Sequence, residues 1–179
     1  MSKTVREAMI DAAWLLIAER GLEGMSTREV LARTGAPRGS VYHHFPGGRT
    51  ELIEAAIDRS RQWMQGKIGA IDPASPNDVV AGYMQIWRRV LERTEFRAGC
   101  ATTGAVIGSN EPRIMDRARA SFDATSEALA ALFERTGLEP SDATRRATLL
   151  MYTAEGAVVL ARARHSLEPL DFTVEQLST

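Results

Sequence analysis

Apolar residues recur at helical spacing along almost the whole chain, and this periodicity restricts the chain to helical folds. In residues 3–20, apolar side chains three or four positions apart form one stripe of a helix. Comparable stripes occur in residues 50–68, 77–95, 113–136 and 140–165. No run of alternating apolar and polar residues between turn signals appears, so strands are not predicted. We therefore expect an all-α protein.

Two shorter helices are predicted between the first two stripes. Ser26 and Glu29 have the spacing of a capping box, in which each side chain accepts a hydrogen bond from the other residue's backbone N–H. The helix that Ser26 begins should end at Gly35, and a second short helix should cover residues 37–45. Ser75 or Asn77 is expected to cap the later helix at 77–95. Two further segments, 95–112 and 170–177, are predicted as a loop with one or two helical turns and as a last short helix.

The composition is that of an ordinary globular protein, with 44% apolar and 25% charged residues in a chain of 179. No apolar run approaches the ~18 residues that a membrane-spanning helix needs. The mixed charges at the N-terminus do not form a secretory signal. The single cysteine, Cys100, excludes an internal disulfide and fits a reducing compartment. Together these features predict a cytoplasmic protein with no membrane partner.

Charge is distributed unevenly although the net charge is only −1. Residues 1–50 hold seven Lys and Arg against five Asp and Glu, a balance of +2, whereas the remainder has a balance of −3. From Ser26 to Arg49 the count is four basic residues to one acidic residue. A basic module on a mildly acidic body indicates a polyanionic partner for the first segment, although such a balance also occurs on ordinary solvated surfaces.

The stretch TGAPRGSVYHHFPGGRTELI, residues 34–53, contains most of the chemically distinctive residues. A phosphate-binding loop is disfavoured, because Gly35 and Gly39 lack the Gly-Lys-Ser/Thr ending and no strand precedes them. A zinc site is disfavoured as well, because His43 and His44 are adjacent and point about 100° apart on a helix. No nucleophile–base pair or metal cluster appears elsewhere. We expect neither an enzyme nor a cofactor.

A helix–turn–helix fits this stretch better. Residues 26–33 and 37–45 have suitable lengths, and the turn between them contains a glycine. The second helix begins with small and polar residues, which allow a backbone to approach the bases in a major groove. Val41 and Phe45, four positions apart, are expected to face inward toward Val30 and Leu31. The alternative is a small helical hairpin whose aromatic side chains are core.

Residues 5–57 resemble the DNA-binding domain of the tetracycline-repressor (TetR) family. The segment ERGLEGMSTREVLARTGAPRGSVYHHF carries the likeness, together with the leucine–isoleucine pair at 52–53. The family pattern Gly-Val-Ser-Lys-Gly-Thr-Leu-Tyr-x-His-Phe is met here by GAPRGSVYHHF, which runs from Gly35 to Phe45.

Two departures from the pattern concern the turns on either side of the third helix. After Phe45 the chain is one residue longer than in most members and has Arg49 in place of lysine. Pro37 replaces a serine that usually caps the helix, although proline suits a first helical turn. Three features resemble the LmrA-like branch of the family. They are the longer turn after Phe45, the pair Gly99-Cys100 with the small residues after it, and the segment 155–171.

The resemblance implies a dimeric transcriptional regulator, usually a repressor that a small ligand releases from a near-palindromic operator on double-stranded DNA. It implies a three-helix helix–turn–helix DNA-binding domain in residues 1–49 and a helical ligand-binding and dimerisation domain in residues 50–179. Arg38 is expected to read a base, because arginine pairs bidentately with guanine. His43 is expected either to contact DNA or to be exposed without a contact. The candidate DNA-binding residues are Ser26, Thr27, Arg28, Arg38, Gly39, Ser40, Tyr42, His43, His44 and Arg49, of which Thr27, Tyr42, His44 and Arg49 are expected to hold phosphates.

The resemblance also implies a ligand cavity in the C-terminal domain, for which aromatic and methionine side chains are candidates. Such residues more often form plain core, and that alternative stays open. Methionine adapts to varied apolar guests and pockets are mostly apolar, so the expected effector is small and largely apolar. Cys100 is either a small buried side chain or a sensing thiol. The candidate ligand-binding residues are Trp63, Met64, Tyr83, Met84, Trp87, Cys100, Met115, Phe122 and Tyr152.

The helix predicted at 140–165 is apolar on most sides and therefore cannot face solvent. We expect its own domain to cover one side and a second copy of the chain to cover another. Small residues along it would let two backbones come close. A protein-interaction module without DNA binding is the remaining alternative, but it does not explain the basic, small-residue start of the third helix. The candidate dimer-interface residues are Leu150, Ala154, Ala157, Val158 and Ala161.

Overall fold

The computed structural model describes residues 4–178, in which nine helices and no strand occur. The predicted all-α class is confirmed. None of these helices combines the length and apolarity needed to cross a bilayer. In chain order the helices are α1 (Val5–Arg20), α2 (Thr27–Thr34), α3 (Ser40–His44), α4 (Gly48–Ile68), α5 (Pro76–Arg93), α6 (Ala101–Ile107), α7 (Pro112–Arg135), α8 (Pro140–Arg164) and α9 (Glu168–Leu177).

Side chains cap the helices where the sequence places Ser and Thr before them. Ser26 caps α2 by accepting a hydrogen bond from the backbone of Glu29 at 3.1 Å. The reciprocal bond of the predicted box is not among the bonds described for α2. A complete capping box begins α5, between Ser75 and Asp78, which confirms Ser75 as the cap. The hydroxyl and the backbone N–H of Ser75 both donate to the Asp78 carboxylate. These two hydrogen bonds lower the pKa of the Asp78 carboxyl below its ordinary value.

The third helix is shorter than the predicted 37–45. It covers only Ser40–His44, because Pro37 and the two residues after it form a turn in which Ser40 N–H donates to the Pro37 carbonyl at 2.9 Å. The helix stops before Phe45, whose φ of −137° and ψ of 79° are not helical. Pro46 follows, and a proline disfavours helical backbone at the residue before it. The other predicted bounds that fall within the described residues differ from the observed ones by no more than two residues.

The described residues form two compact units with a partition that differs from the predicted domains. Unit 1 contains the chain up to Gln62 together with Cys100–Ser121, and unit 2 contains Trp63–Gly99 and the residues from Phe122 on. The boundaries fall within α4, between Gly99 and Cys100, and within α7. In unit 1, α1 packs against α2 and against α6. The buried apolar residues of its N-terminal part include Met9, Ala13, Leu16, Ile17, Leu22, Met25, Val30, Val41, Phe45, Leu52, Ile53, Ala56 and Ile57.

Gly104 of α6 and Gly108, just after this helix, allow a close approach to α1 and to the loop that follows it. A Cβ atom at Gly104 would be 3.0 Å from the carbonyl oxygen of Ile17, and one at Gly108 would be 2.9 Å from Leu22 Cβ. Both distances are shorter than ordinary carbon contacts. Glycine at these positions therefore permits a separation of α1 and α6 that any larger residue would increase.

Unit 2 contains α5, α8 and α9, each of which packs against the other two, together with the end of α4 and the second half of α7. Arg88 of α5 forms an ion pair with Asp171 of α9. Arg162 of α8 donates a hydrogen bond to the Arg97 carbonyl at 2.8 Å and so ties α8 to the loop after α5. Gly99 lies beside Arg162, where a Cβ would be 3.1 Å from the guanidinium. These contacts fix α8 by one face within its own unit.

Candidate nucleic-acid interface

Two apolar side chains anchor the short α3 in unit 1. Val41 and Phe45 are fully buried, as is Val30 of α2, in agreement with the predicted inward face. The guanidinium of Arg6, on α1, lies 5.0 Å from the centre of the Phe45 ring in a cation–π contact. A five-residue helix has too few internal hydrogen bonds to be stable alone. Its orientation is therefore set by this buried anchor.

The opposite side of α3 is open and polar. Tyr42 is 71% exposed, and Arg38 and His43 are exposed as well, whereas His44 is half-buried. The rings of His43 and His44 meet edge to face with their centres 4.8 Å apart. Tyrosine, histidine and arginine can all donate hydrogen bonds to phosphate oxygens. The structure thus leaves several donors accessible around a helix whose apolar side chains are buried.

The predicted arginines of this region have different surroundings. Arg28 and Arg38 are exposed, and neither has an ion-pair partner within residues 4–178. Arg33, which was not a candidate, is paired with Glu19 of α1 at 2.6 Å. A guanidinium already engaged by a carboxylate contributes less charge to a polyanion. Arg28 and Arg38 therefore supply the unpaired positive charge next to α3.

Arg49 has a structural contact that the sequence did not reveal. Its Nη2 donates to the Leu22 carbonyl at 2.6 Å, and its Nε donates to the Met25 carbonyl at 3.2 Å. These bonds close the loop between α1 and α2 over the start of α4. These two bonds engage only two of the five N–H donors of an arginine. The contact of Arg49 with a phosphate therefore stays a prediction.

The small polar residues at the two helix starts differ in accessibility. Gly39 is exposed, while Ser26, Thr27 and Ser40 are half-buried. The Ser26 hydroxyl oxygen already accepts the capping bond, so only its proton remains for a phosphate. The predicted roles of these four residues toward DNA stay predictions.

The predicted ligand-binding residues do not form one uniform set. Tyr83, Met84 and Trp87 of α5 and Met64 of α4 are buried in unit 2. Tyr152 is instead 68% exposed and does not belong to this buried group, so its place in a ligand cavity stays a prediction. The half-buried members are Trp63 and Phe122 in unit 2 and Cys100 and Met115 in unit 1.

Cys100 occupies the position before α6. Its Sγ accepts a hydrogen bond from the backbone N–H of Thr103 at 3.5 Å, and the residue is half-buried. This contact makes it a helix cap, which neither of the two predicted roles included.

The predicted dimer-interface residues lie inside unit 2. All five are buried within a single chain, because this face of α8 packs against its own unit. They leave little surface for a second copy to contact, and their role in a dimer stays a prediction. The residues concerned are Leu150, Ala154, Ala157, Val158 and Ala161.

A different side of α8 is both apolar and exposed. Its members follow one another at steps of three, four or one residues, which places them within about 100° of the helix circumference. Phe172 of α9 adds a further exposed aromatic ring. We call this surface the α8 stripe, and its residues are Leu149, Tyr152, Gly156, Val159, Leu160 and Ala163.

A helix–turn–helix with buried anchors, exposed donors and unpaired arginines defines a class of protein, the helical DNA-binding regulators. Known proteins carry this assignment further. Residues 9–56 match the family model for bacterial regulatory proteins of the tetR family, and residues 76–176 match the model for the transcriptional regulator LmrA/YxaF-like C-terminal domain. The chain belongs to the TetR family of transcriptional regulators, in the group with this C-terminal domain.

Relatives and solved structures agree with the family. A helix-turn-helix transcriptional regulator of Mycobacterium tuberculosis is 38% identical over 179 residues, covering 96% of this chain and 91% of the relative. The regulator LmrA of Bacillus subtilis is 25% identical, covering 92% and 90%. A TetR regulator of Chloroflexus aurantiacus has a TM-score of 0.80 at 26% identity, covering 97% and 91%. The regulatory protein TetR of Rhodobacter sphaeroides has a TM-score of 0.85 at 19% identity, covering 98% and 97%, and so shares the fold.

Proposed function

We propose that this regulator is a repressor that binds a near-palindromic operator through α3 and is released by a small, largely apolar ligand in the cytoplasm. The observation that carries the proposal is the arrangement at α3. Val41 and Phe45 are buried, while Tyr42, His43 and Arg38 remain exposed on one accessible surface. Base reading is assigned to Arg38, and phosphate contacts are assigned to Thr27, Tyr42, His44 and Arg49.

The proposed DNA-binding unit is a homodimer formed through the α8 stripe. Monomeric proteins rarely expose a contiguous apolar surface of this kind, and exposed apolar patches mark interaction sites. Two-fold symmetry is the commonest arrangement of such pairs and brings the same stripe from both copies together. Two α3 helices about 34–36 Å apart would then read two half-sites one DNA turn apart.

Ligand release is assigned to unit 2. Support comes from the buried aromatic and methionine side chains of α4 and α5, namely Met64, Tyr83, Met84 and Trp87. Methionine repacks around guests of varied shape, which suits an effector site. By linkage, a ligand that weakens DNA binding by some factor must itself bind more weakly, by the same factor, when DNA is present.

The deciding experiment is direct. Fragments of genomic DNA retained by the purified protein are sequenced to identify an operator, and its affinity is compared with that of random duplex as salt is raised. We expect tighter operator binding and a log–log salt slope that is steeply negative, because phosphate contacts release counterions. Equal affinity for both DNAs, or a slope near zero, would contradict the proposal.

A further inference from the structure

Trp87 of α5 has a hydrogen-bond donor without an acceptor. The residue is 3% exposed, and its Nε1 is the one buried side-chain polar atom that lacks a partner within residues 4–178. Buried donors are nearly always paired, because a desolvated N–H that finds no acceptor has lost its water without compensation. The buried indole N–H of Trp87, which has no acceptor in the described part of the chain, therefore calls for a functional explanation.

The neighbours of Trp87 on α5 have the character of a small-molecule site. Tyr83 precedes it by one helical turn and Met84 by three residues, and both are fully buried. Pockets combine such apolar walls with a few fixed polar groups that orient the ligand. The Trp87 N–H is a group of this second kind.

Trp14 shows what a tryptophan in an ordinary structural role looks like in this protein. It is half-buried on α1 in unit 1, and the guanidinium of Arg59 lies 5.7 Å from its ring centre. Both residues of this contact belong to unit 1. Such a contact does not account for the buried indole N–H of Trp87.

We propose that the effector carries a hydrogen-bond acceptor, a carbonyl oxygen or a heteroaromatic nitrogen, that binds Trp87 Nε1 while an adjoining flat apolar ring packs among the aromatic and methionine side chains. This inference rests on the proposed function, since it specifies the ligand of the same regulatory site. It makes Trp87 the residue that selects among apolar compounds of equal shape. A site with a fixed donor discriminates against an analogue that leaves the donor unpaired.

The test uses the full-length protein with ¹⁵N-labelled tryptophan and two pairs of probes matched in shape. The pairs are 1-indanone with indane, and quinoline with naphthalene, so each pair differs only in the acceptor. Assigning the Trp14 and Trp63 indole signals by Trp14→Phe and Trp63→Phe leaves the third signal to Trp87 in the wild-type protein. Affinities follow from titrations monitored by nuclear magnetic resonance.

We expect 1-indanone and quinoline to bind wild type about tenfold more tightly than their hydrocarbon partners, the equivalent of about 1.4 kcal/mol, and to shift the Trp87 indole N–H signal. Trp87→Phe keeps an aromatic ring but removes the indole N–H donor. The preference for 1-indanone and quinoline over their hydrocarbon partners should therefore disappear in this variant. Trp14→Phe, in unit 1, is the matched control and should retain the preference.

Three results would overturn this inference: equal affinity within each pair, a preference that survives Trp87→Phe, or no binding of any of the four probes. If Trp87→Phe does not fold, the shift of the wild-type Trp87 signal with acceptor probes alone decides the question. Each of these results leaves operator binding intact. Failure of the wild-type protein to prefer an operator is the separate failure of the proposed function.

Discussion

Glu54 of α4 and Arg113 of α7 form an ion pair in which Oε2 and Nη2 are 2.8 Å apart, and Glu54 is only 8% exposed. One helical turn further along both helices, Asp58 pairs with Arg117 at 3.3 Å. Two acids four residues apart on α4 therefore match two arginines four residues apart on α7. Within unit 1 these pairs fix the register of the helix that follows the helix–turn–helix.

Arg113→Ala should destabilise the protein by about 1–3 kcal/mol, because the Glu54 carboxylate is left buried without its charged donor. Urea unfolding followed by circular dichroism measures the change. Arg119→Ala is the control, since the Arg119–Asp116 pair is exposed on both sides and should contribute about 0–1 kcal/mol. Equal losses in the two variants would show that the burial of Glu54 is unimportant.

Arg38→Ala should reduce operator affinity by about 1–3 kcal/mol and relax specificity at one base pair. Its side chain is exposed without an ion-pair partner within residues 4–178, so the fold should not change. Binding to operator and to random duplex is compared at one salt concentration. A loss of the same size on both DNAs would make Arg38 a phosphate contact and remove its base-reading role.

Arg49→Lys separates the structural role of this residue from its predicted phosphate contact. Lysine keeps the charge but cannot bridge the Leu22 and Met25 carbonyls with a planar guanidinium. Stability should fall by about 1–2 kcal/mol, while the salt slope of DNA binding stays unchanged. Unchanged stability would indicate that the two hydrogen bonds contribute nothing measurable.

Gly104→Ala should destabilise the protein by about 1–3 kcal/mol, because the added methyl group would lie 3.0 Å from the Ile17 carbonyl oxygen. Gly66→Ala on α4 is the matched control. Apart from its chain neighbours and the backbone of its own helix, no described atom lies within 4 Å of its Cβ position, so it should stabilise the protein by roughly 0.5–1 kcal/mol through helix propensity. Thermal unfolding of both variants gives the signs, and the same sign for both would refute the close-packing argument.

Leu160→Glu should convert the protein to monomers and abolish tight operator binding, because a charge within a paired α8 stripe would be buried without a partner. Leu15→Glu on α1 is the control, since Leu15 is exposed to a similar extent and is not part of the stripe. Sedimentation at micromolar concentration measures the size of each variant. A dimer that persists in Leu160→Glu would exclude the stripe as the interface.

The sequence predicted the helices well because their apolar spacing and caps are local properties. It failed at α3, where Pro37, Arg38 and Gly39 are compatible with a first helical turn but form a separate turn instead. The preference of proline for a first turn does not oblige the next residues to continue the helix. The Pro37 turn sets the start of this short helix, and the non-helical Phe45 before Pro46 sets its end.

The face of α8 illustrates a different limit. A sequence that is apolar on all sides of a helix predicts that more than one side is packed. It does not show which side packs within the chain and which side is left for a second copy. Small residues suggested an intermolecular contact, yet Ala154 and Ala161 are buried by the chain itself, while the larger Leu149 and Val159 are exposed. The size of a side chain therefore does not show whether it packs within the chain or against a second copy. The unpaired donor of Trp87 and the two bonds of Arg49 likewise depend on three-dimensional neighbours that no local pattern specifies.

The close packing at Gly104 of α6 and at Gly108, just after this helix, has a mechanical consequence for unit 1. Where side chains separate two helices, they absorb small displacements by changing rotamer, whereas Gly104 and Gly108 leave α6 in contact with the main chain of α1 and with Leu22 Cβ. Close-packed interiors have low compressibility and pass strain onward. We therefore expect little side-chain slack to absorb a displacement of α6 toward α1 by a fraction of an ångström. Since α1 also packs against α2, such a displacement is expected to be passed on to the helix–turn–helix.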